Sequence, residues 1–151
     1  MINIICSSGQ SGVDRAALTA AKELGFPITG WVLNGGWAED YIFPPGVLSL
    51  FPELKETSSE DPRETTVRNI KYSDSVLLIA NGQSPDFGIE VALRFHKPSF
   101  VVRLSHIEEE KDKLLIWLKE QNGILCIGGS RESESPGIYM RTYKLLKEVL
   151  K

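Results

Sequence analysis

The chain has 151 residues and a mass of 16.8 kDa, the length of a single domain, and surface scaling buries about two-thirds of its extended-chain surface without staples. With 42% hydrophobic and 25% charged residues it is neither disordered, collagenous nor a disulfide miniprotein. A net charge of −3 and a pI near 5.5 argue against a nucleic-acid surface, which is normally a basic stripe.

In chain order, Ile2–Cys6 is a short apolar run and reads as a strand. Val13–Leu24 follows as a helix with Ala17, Ala21 and Leu24 on one face, ended by Gly25 with Pro27 beyond. Ile28–Leu33 reads as the second strand. Asn34–Glu60 has no period and carries Pro44-Pro45-Gly46 and Pro52. Its aromatics Trp37, Tyr41, Phe43 and Phe51 oppose disorder. It is expected to lie ordered over the sheet's carboxyl edge, with one short extra strand around Val47–Phe51 or Lys55–Thr57. Pro62–Tyr72 is a helix with Asp61 as N-cap and Pro62 at its first position.

Ser75–Ala80 is a strand, Gly88–Phe95 a short helix and Ser99–Leu104 a strand. Ser105 and Glu108 form the pattern of a capping box, opening a helix with Ile107, Leu114, Leu115 and Leu118 on one face and Asn122-Gly123 as its stop. Ile124–Ile127 is the last strand and Pro136–Leu150 the last helix. Continuous apolar strands alternating with amphipathic helices imply an α/β fold of three layers, a parallel sheet covered on both faces, with right-handed crossovers. No internal repeat or linker divides residues 1–151, so one domain is expected.

No apolar run reaches the ~18 residues of a membrane span. The opening Met1-Ile2-Asn3-Ile4-Ile5-Cys6 lacks a basic leader, so no signal peptide is expected. Two cysteines 120 positions apart suit a reducing cytoplasm, the expected location.

Ligands of doubly wound sheets bind beyond the carboxyl ends of the strands. After the first strand comes Ser7-Ser8-Gly9-Gln10-Ser11-Gly12-Val13-Asp14-Arg15. Its glycines permit close backbone approach, and the helix it opens favours an anion through free N–H groups and dipole. Ser8, Gln10 and Ser11 add neutral hydrogen-bonding groups; Ser11 reads equally well as a plain N-cap. Asp14 suits the dipole but would repel an anion that it faced, and it alternatively holds Arg15. The loop has neither the Lys of a Walker A motif nor the G-x-G-x-x-G spacing.

After the last strand, Gly128-Gly129-Ser130-Arg131-Glu132-Ser133-Glu134-Ser135-Pro136-Gly137 forms a second anion-friendly corner. Arg131 either grips a phosphate or carboxylate bidentately or bridges Glu132 or Glu134 as surface. Trp31 and Trp37 either stack a planar heterocycle or pack as core or lid. Glu39 and Asp40 accept from a ribose or pterin, or simply solvate their loop. Cys6, Cys126, His96 and His106 lack ligand-spaced partners and read as structural, so no protein-coordinated metal is expected.

These blocks resemble the molybdenum-cofactor carrier family, within the Rossmann-like group that includes the LOG and DprA-type domains, called SLOG. Ser8-Gly9-Gln10-Ser11-Gly12-Val13-Asp14-Arg15-Ala16-Ala17 is similar to its G-G-Q-T-G-V-D-R-A-A loop. Gly30-Trp31, Ala38-Glu39-Asp40 and Glu56-Thr57 follow in family order. Thr66, Asn69 and Ser73-Asp74 resemble its R-T-x-x-N-V-x-x-S-D run, and Arg131-Glu132-Ser133 with Pro136-Gly137-Ile138-Tyr139 its R-E-S-x-x-P-G-I-Y. Three departures stand out. Gly35-Gly36-Trp37 replaces basic residues, Thr65 replaces an Arg, and Phe87-Gly88-Ile89 replaces G-G-T, removing a phosphate-binding hydroxyl. Of the LOG signature P-G-G-x-G-T-x-x-E only Gly88 and a mis-spaced Glu90 remain, which opposes hydrolysis of a nucleoside monophosphate.

The resemblance implies a Rossmann-like, mainly parallel sheet of at least five strands with the first strand central, homo-oligomers, and a nucleotide-like or molybdopterin ligand. Binding without catalysis is the first reading, because no acid/base couple is evident in the sequence. The site residues expected are Ser8, Gly9, Gln10, Ser11, Gly12, Asp14, Arg15, Trp31, Glu39, Asp40, Thr66, Asn69, Gly88, Gly129, Arg131, Glu132 and Ser133. The alternative is a nucleoside-phosphate-processing enzyme with Glu39, Asp40 or Glu90 as its carboxylate. The partner expected is a small anionic molecule, rather than nucleic acid or membrane.

Overall fold

Five strands make one parallel sheet in a computed structural model that describes residues 1–151. They are β1 (Ile2–Cys6), β2 (Ile28–Thr29), β5 (Ser75–Ala80), β6 (Ser99–Arg103) and β7 (Gly123–Gly129), in the order β2-β1-β7-β5-β6. A separate parallel pair joins β3 (Trp31–Val32) to β4 (Lys55–Glu56). The helices are α1 (Val13–Glu23), α2 (Pro62–Tyr72), α3 (Asp86–Arg94), α4 (Ile107–Glu120) and α5 (Ile138–Val149).

Strand alternation builds the three layers. Ile5, Leu77, Ile79, Leu125 and Ile127 point into the larger core, shared with α1, α4 and α5. Their neighbours Cys6, Val76, Leu78 and Cys126 point the other way, into a smaller core with Ile70 of α2 and Val91 of α3. All six residues of β5 are buried, as an apolar run in a two-sided sheet requires.

Several expectations hold to the residue: β1, β5 and α2 have the bounds read from sequence, and the Asp61 carboxylate accepts from the Arg63 N–H at 3.0 Å as the N-cap of α2. Others need correction. The single strand expected over Ile28–Leu33 is split at Gly30, where a Cβ would lie 2.0 Å from the Ser7 carbonyl oxygen. Only Gly fits that approach, and the break turns the chain from the main sheet into the β3–β4 pair. The first strand is interior, between β2 and β7, but the middle position belongs to β7, because the last strand inserts between β1 and β5.

The Ser105–Glu108 capping box does not form. A 3-10 turn over Leu104–His106 precedes α4, the Ser105 hydroxyl pairs with His106 Nδ1 at 2.8 Å, and Glu110 instead accepts the Arg103 N–H at 2.8 Å. Helix α3 starts at Asp86 rather than Gly88, and α5 starts at Ile138, behind a left-handed Gly137.

Segment 34–60 is ordered, with the extra strand at Lys55–Glu56; Gly46–Ser49 is a 3-10 turn, not a strand. Val47, Phe51 and Leu54 anchor it to the larger core, while Ile42 and Phe43 stay exposed. No helix is long and apolar enough to cross a membrane.

Candidate functional site

A cleft opens at the carboxyl edge of the sheet on the α2/α3 side, in two lobes that share Ser8, Asp14, Thr66, Gly129 and Glu134. The deep lobe, about 390 Å³, runs under the loop from β5 to α3 and has Leu78, Cys126 and Gly88 in its walls. The outer lobe, about 360 Å³, is bounded by Gln10, Trp37, Thr65 and Arg131. Both volumes fall in the range of small-molecule sites.

Two glycine corners allow this shape. A Cβ on Gly12 would sit 2.3 Å from the Ser130 carbonyl oxygen, so the first and last loops touch through bare backbone there. A Cβ on Gly129 would sit 2.3 Å from the Ile79 carbonyl oxygen, at the point where β7 leaves β5.

The loops are then laced by acids. Glu39 accepts the Ser11 hydroxyl at 2.8 Å, the Ser133 hydroxyl at 2.6 Å and the Ser133 N–H at 3.1 Å. The Ser133 hydroxyl is the main reason its carboxyl lies below the usual range. The Gln10 amide oxygen accepts the N–H groups of Ser11 (3.1 Å) and Glu39 (2.9 Å). Glu132 accepts the N–H groups of Gly137 (2.6 Å) and Tyr139 (2.9 Å) at the start of α5, while its own N–H donates to the Ser11 hydroxyl at 3.2 Å. Arg15 forks onto Asp40 at 2.9 and 2.8 Å and donates Nε–H to the Gly9 carbonyl at 2.9 Å. That pairing lowers the Asp40 carboxyl below its ordinary range. Asp14 therefore does not hold Arg15.

Asp14 faces the cleft. Its carboxylate accepts the Ser8 hydroxyl and, at 3.2 Å, the Gly129 N–H. Burial raises its carboxyl to about 6, against the pull of these bonds and of the Arg131 charge. The Arg131 guanidinium makes no ion pair and no hydrogen bond within the chain; only its backbone is engaged, the N–H donating to Glu134 at 2.8 Å and the carbonyl accepting the N–H groups of Glu134 and Ser135 at 3.1 Å each.

The model of the circularly permutated YpsA SLOG family matches residues 5–150. The chain belongs to this family. A crystal structure of a protein from Syntrophus aciditrophicus SB, described as a "Putative molybdenum carrier protein", is 31% identical, with a TM-score of 0.86 over 99% of this chain and 96% of that one. No curated protein matches.

Within this SLOG chain the residues singled out from sequence fall into three sets. Ser8, Asp14, Thr66, Asn69, Gly88 and Gly129 line the deep lobe, and Gln10 and Arg131 the outer one. Ser11, Gly12, Arg15, Asp40 and Glu132 instead line a separate hollow behind the loop, with Tyr41 and Tyr139. Gly9, Trp31, Glu39 and Ser133 line neither lobe. Trp31 packs edge-on against Tyr72 at 5.1 Å and is clamped by the Asn69 amide at 2.8 and 3.2 Å; the tryptophan at the cleft is Trp37. Glu90 pairs with Arg94 on the outer face of α3.

Sequence reasoning did not single out Gln83, Ser84, Asp86 and Glu134, which also line the deep lobe. The signal was available for the first three, because they follow a strand at the carboxyl edge. Cys6 and Cys126 are free, buried and in register on β1 and β7; the Cys6 thiol and burial push the Cys126 thiol up, so it is not a thiolate nucleophile. No group of three or more His, Cys, Asp or Glu is placed to hold a metal ion.

Proposed function

We propose that this chain is a carrier-like binding protein for a small anionic heterocycle, of nucleotide or pterin type, held in the two-lobed cleft. One observation carries the reading: Arg131 presents an unpaired guanidinium at the outer lobe, where every nearby acid already has partners. A half-buried, unpaired guanidinium is a poor structural element and a good anion receptor. Trp37 beside it offers an aromatic face for a planar ring. The carrier description of the Syntrophus protein supports the same reading and suggests a molybdenum-cofactor cargo. Calorimetric titration with pterins and nucleoside monophosphates tests it. Arg131→Ala should weaken whichever ligand binds by about 1.5–3 kcal/mol, and unchanged affinity removes Arg131 from the role. Mass spectrometry and metal analysis of protein isolated from its own cells identify the cargo. Self-association is part of the same proposal, tested by light scattering in solution.

One observation favours an enzyme instead. A cleft carboxyl that titrates near 6, as Asp14 does, is suited to general acid or base work. Release of a free base from a nucleotide panel, followed by chromatography, would establish that reading.

A further inference from the structure

Ten large apolar side chains are exposed, and five of them, Trp37, Tyr41, Ile42, Phe43 and Leu50, belong to segment 34–60. The other five sit singly: Met1 at the chain start, Tyr72 on α2, Leu93 on α3, Ile116 on α4 and Met140 on α5. Single exposed apolar residues are ordinary, whereas a contiguous group marks an interaction surface. Pro44 and Pro45 are exposed beside the group, and no residue from Tyr41 to Pro52 is charged, in a chain that is 25% charged. Depletion of charge is the mark of an interface core.

This ridge is built, not loose. Ala38 and Tyr41 exchange backbone hydrogen bonds at 3.2 and 3.0 Å, and the Gly46 N–H donates to the Phe43 carbonyl at 2.8 Å. The backbones of Gly36 and Gly46 touch, since a Cβ on Gly46 would lie 2.0 Å from the Gly36 carbonyl oxygen. Behind them Val47, Phe51 and Leu54 are fixed in the larger core. Phe43 is therefore held at 78% exposure by an ordered frame, which spares most of the ordering entropy of an association.

Beside the crest lies a hollow of about 440 Å³, with Leu33, Trp37, Ile42 and Pro44 in its walls and Glu60 as its one charged residue. Phe43 follows Ile42 and precedes Pro44, so the knob stands at the edge of the hollow. A knob and a hollow side by side on one face are self-complementary under a two-fold axis, each copy's knob entering the other's hollow. The area agrees. With roughly 150–250 Å² offered by each aromatic side chain, the five exposed residues present on the order of 500 Å² per copy, or about 1,000 Å² for two copies, where specific interfaces begin.

We propose that the ridge from Trp37 to Leu50 is the face on which two copies of this chain pair, with Phe43 of each copy seated against Trp37, Ile42 and Pro44 of the other. This rests on the self-association proposed above and names its surface. It also joins the interface to the cleft. Leu33 and Trp37 line both the hollow and the outer lobe, so the ring from the second copy backs Trp37 and closes that side of the lobe. The cleft is complete only in the pair.

The experiment measures the mass of the whole chain by sedimentation over a dilution series, unaltered and as Phe43→Asp, Leu93→Asp and Ile116→Asp. Phe43→Asp should lower the assembly by one step, dimer to monomer or tetramer to dimer. It should raise the dissociation constant at least about hundredfold, because each pair carries the change twice. Leu93→Asp and Ile116→Asp, equally exposed but elsewhere, should leave the assembly as it is. Should Phe43→Asp not fold, Ile42→Lys on the same ridge decides. The Trp37 indole N–H signal of the unaltered chain should move on dilution in step with dissociation, and that of Trp117 should not. An assembly that survives Phe43→Asp, or falls apart with Leu93→Asp or Ile116→Asp instead, overturns this face and leaves self-association standing. A Trp37 signal that stays fixed while the pairs dissociate overturns the second copy's place beside the cleft. A monomer at every concentration overturns self-association itself, and this inference with it.

Discussion

The Ser133 hydroxyl donates to Glu39 at 2.6 Å across 94 residues of sequence, and the same carboxylate accepts Ser11 at 2.8 Å. Three loops that are distant in the chain are thus tied at one carboxylate: the turn after β1, segment 34–60, and the turn after β7. Glu39→Ala should lower stability by about 1 kcal/mol, because water partly replaces bonds at this half-exposed position. Amide exchange should accelerate at Ser133, whose N–H loses its acceptor, and not at Leu77 in the middle of the sheet. Unaltered exchange at Ser133 would show that the tie holds nothing.

Arg15 and Asp40 form the second tie. The guanidinium is 11% exposed and the carboxylate 47%, so Asp40 retains water while Arg15 has little. Arg15→Lys keeps the charge but loses the fork and the bond to the Gly9 carbonyl, and should cost about 2 kcal/mol in chemical denaturation. Asp40→Asn should cost less, since an amide oxygen still accepts one of the two bonds. Because Arg15 lines neither cleft lobe, Arg15→Lys should leave ligand affinity in the cleft unchanged. A matching loss of affinity would return Arg15 to the site.

Much of the architecture was legible because it follows from local periodicity. The continuous apolar runs at Ile2–Cys6 and Ser75–Ala80 and the Asp61-Pro62 start of α2 need no tertiary information. The split at Gly30 depends on where the Ser7 carbonyl lies, and no local pattern records that. The site divides along the same line. The strand-end rule located both Gly-rich loops, yet which side chains stay free was decided by pairings across the fold: Glu39 and Glu132 are engaged by those loops, Arg15 by Asp40, and Arg131 is left over. Glu134, in the middle of an ordinary-looking charged run, lines both lobes, its carboxylate folded back onto the Arg131 N–H.

Gly12 and Gly137 both have positive φ, +80° and +89°, but Gly137 is left-handed helical with ψ −4° while Gly12 has ψ −131°, and their surroundings differ. A Cβ at Gly12 would meet the Ser130 oxygen at 2.3 Å and the Glu132 nitrogen at 2.7 Å, whereas nothing lies within 4 Å at Gly137. Gly137→Ala should therefore cost only the left-handed penalty, about 1–2 kcal/mol. Gly12→Ala must also separate the first and last loops, and should cost more than about 3 kcal/mol or prevent soluble expression. Equal melting temperatures for the two variants would contradict the close contact at Gly12.

Asp14 makes stability depend on pH in an unusual direction. Its folded carboxyl is raised from 3.8 to about 6, so between those values the native chain binds more protons than the unfolded one. The slope of unfolding free energy with pH is then negative over that interval, and stability falls as pH rises from 4 to 6. The shift corresponds to at most about 3 kcal/mol. Acids such as Glu39 and Asp40, held low by their partners, act oppositely, and their contribution is essentially complete above about pH 5. Urea unfolding between about pH 5 and pH 7 should thus show the unaltered chain weakening, with a flatter curve for Asp14→Asn. Parallel curves would mean that Asp14 titrates at its ordinary value.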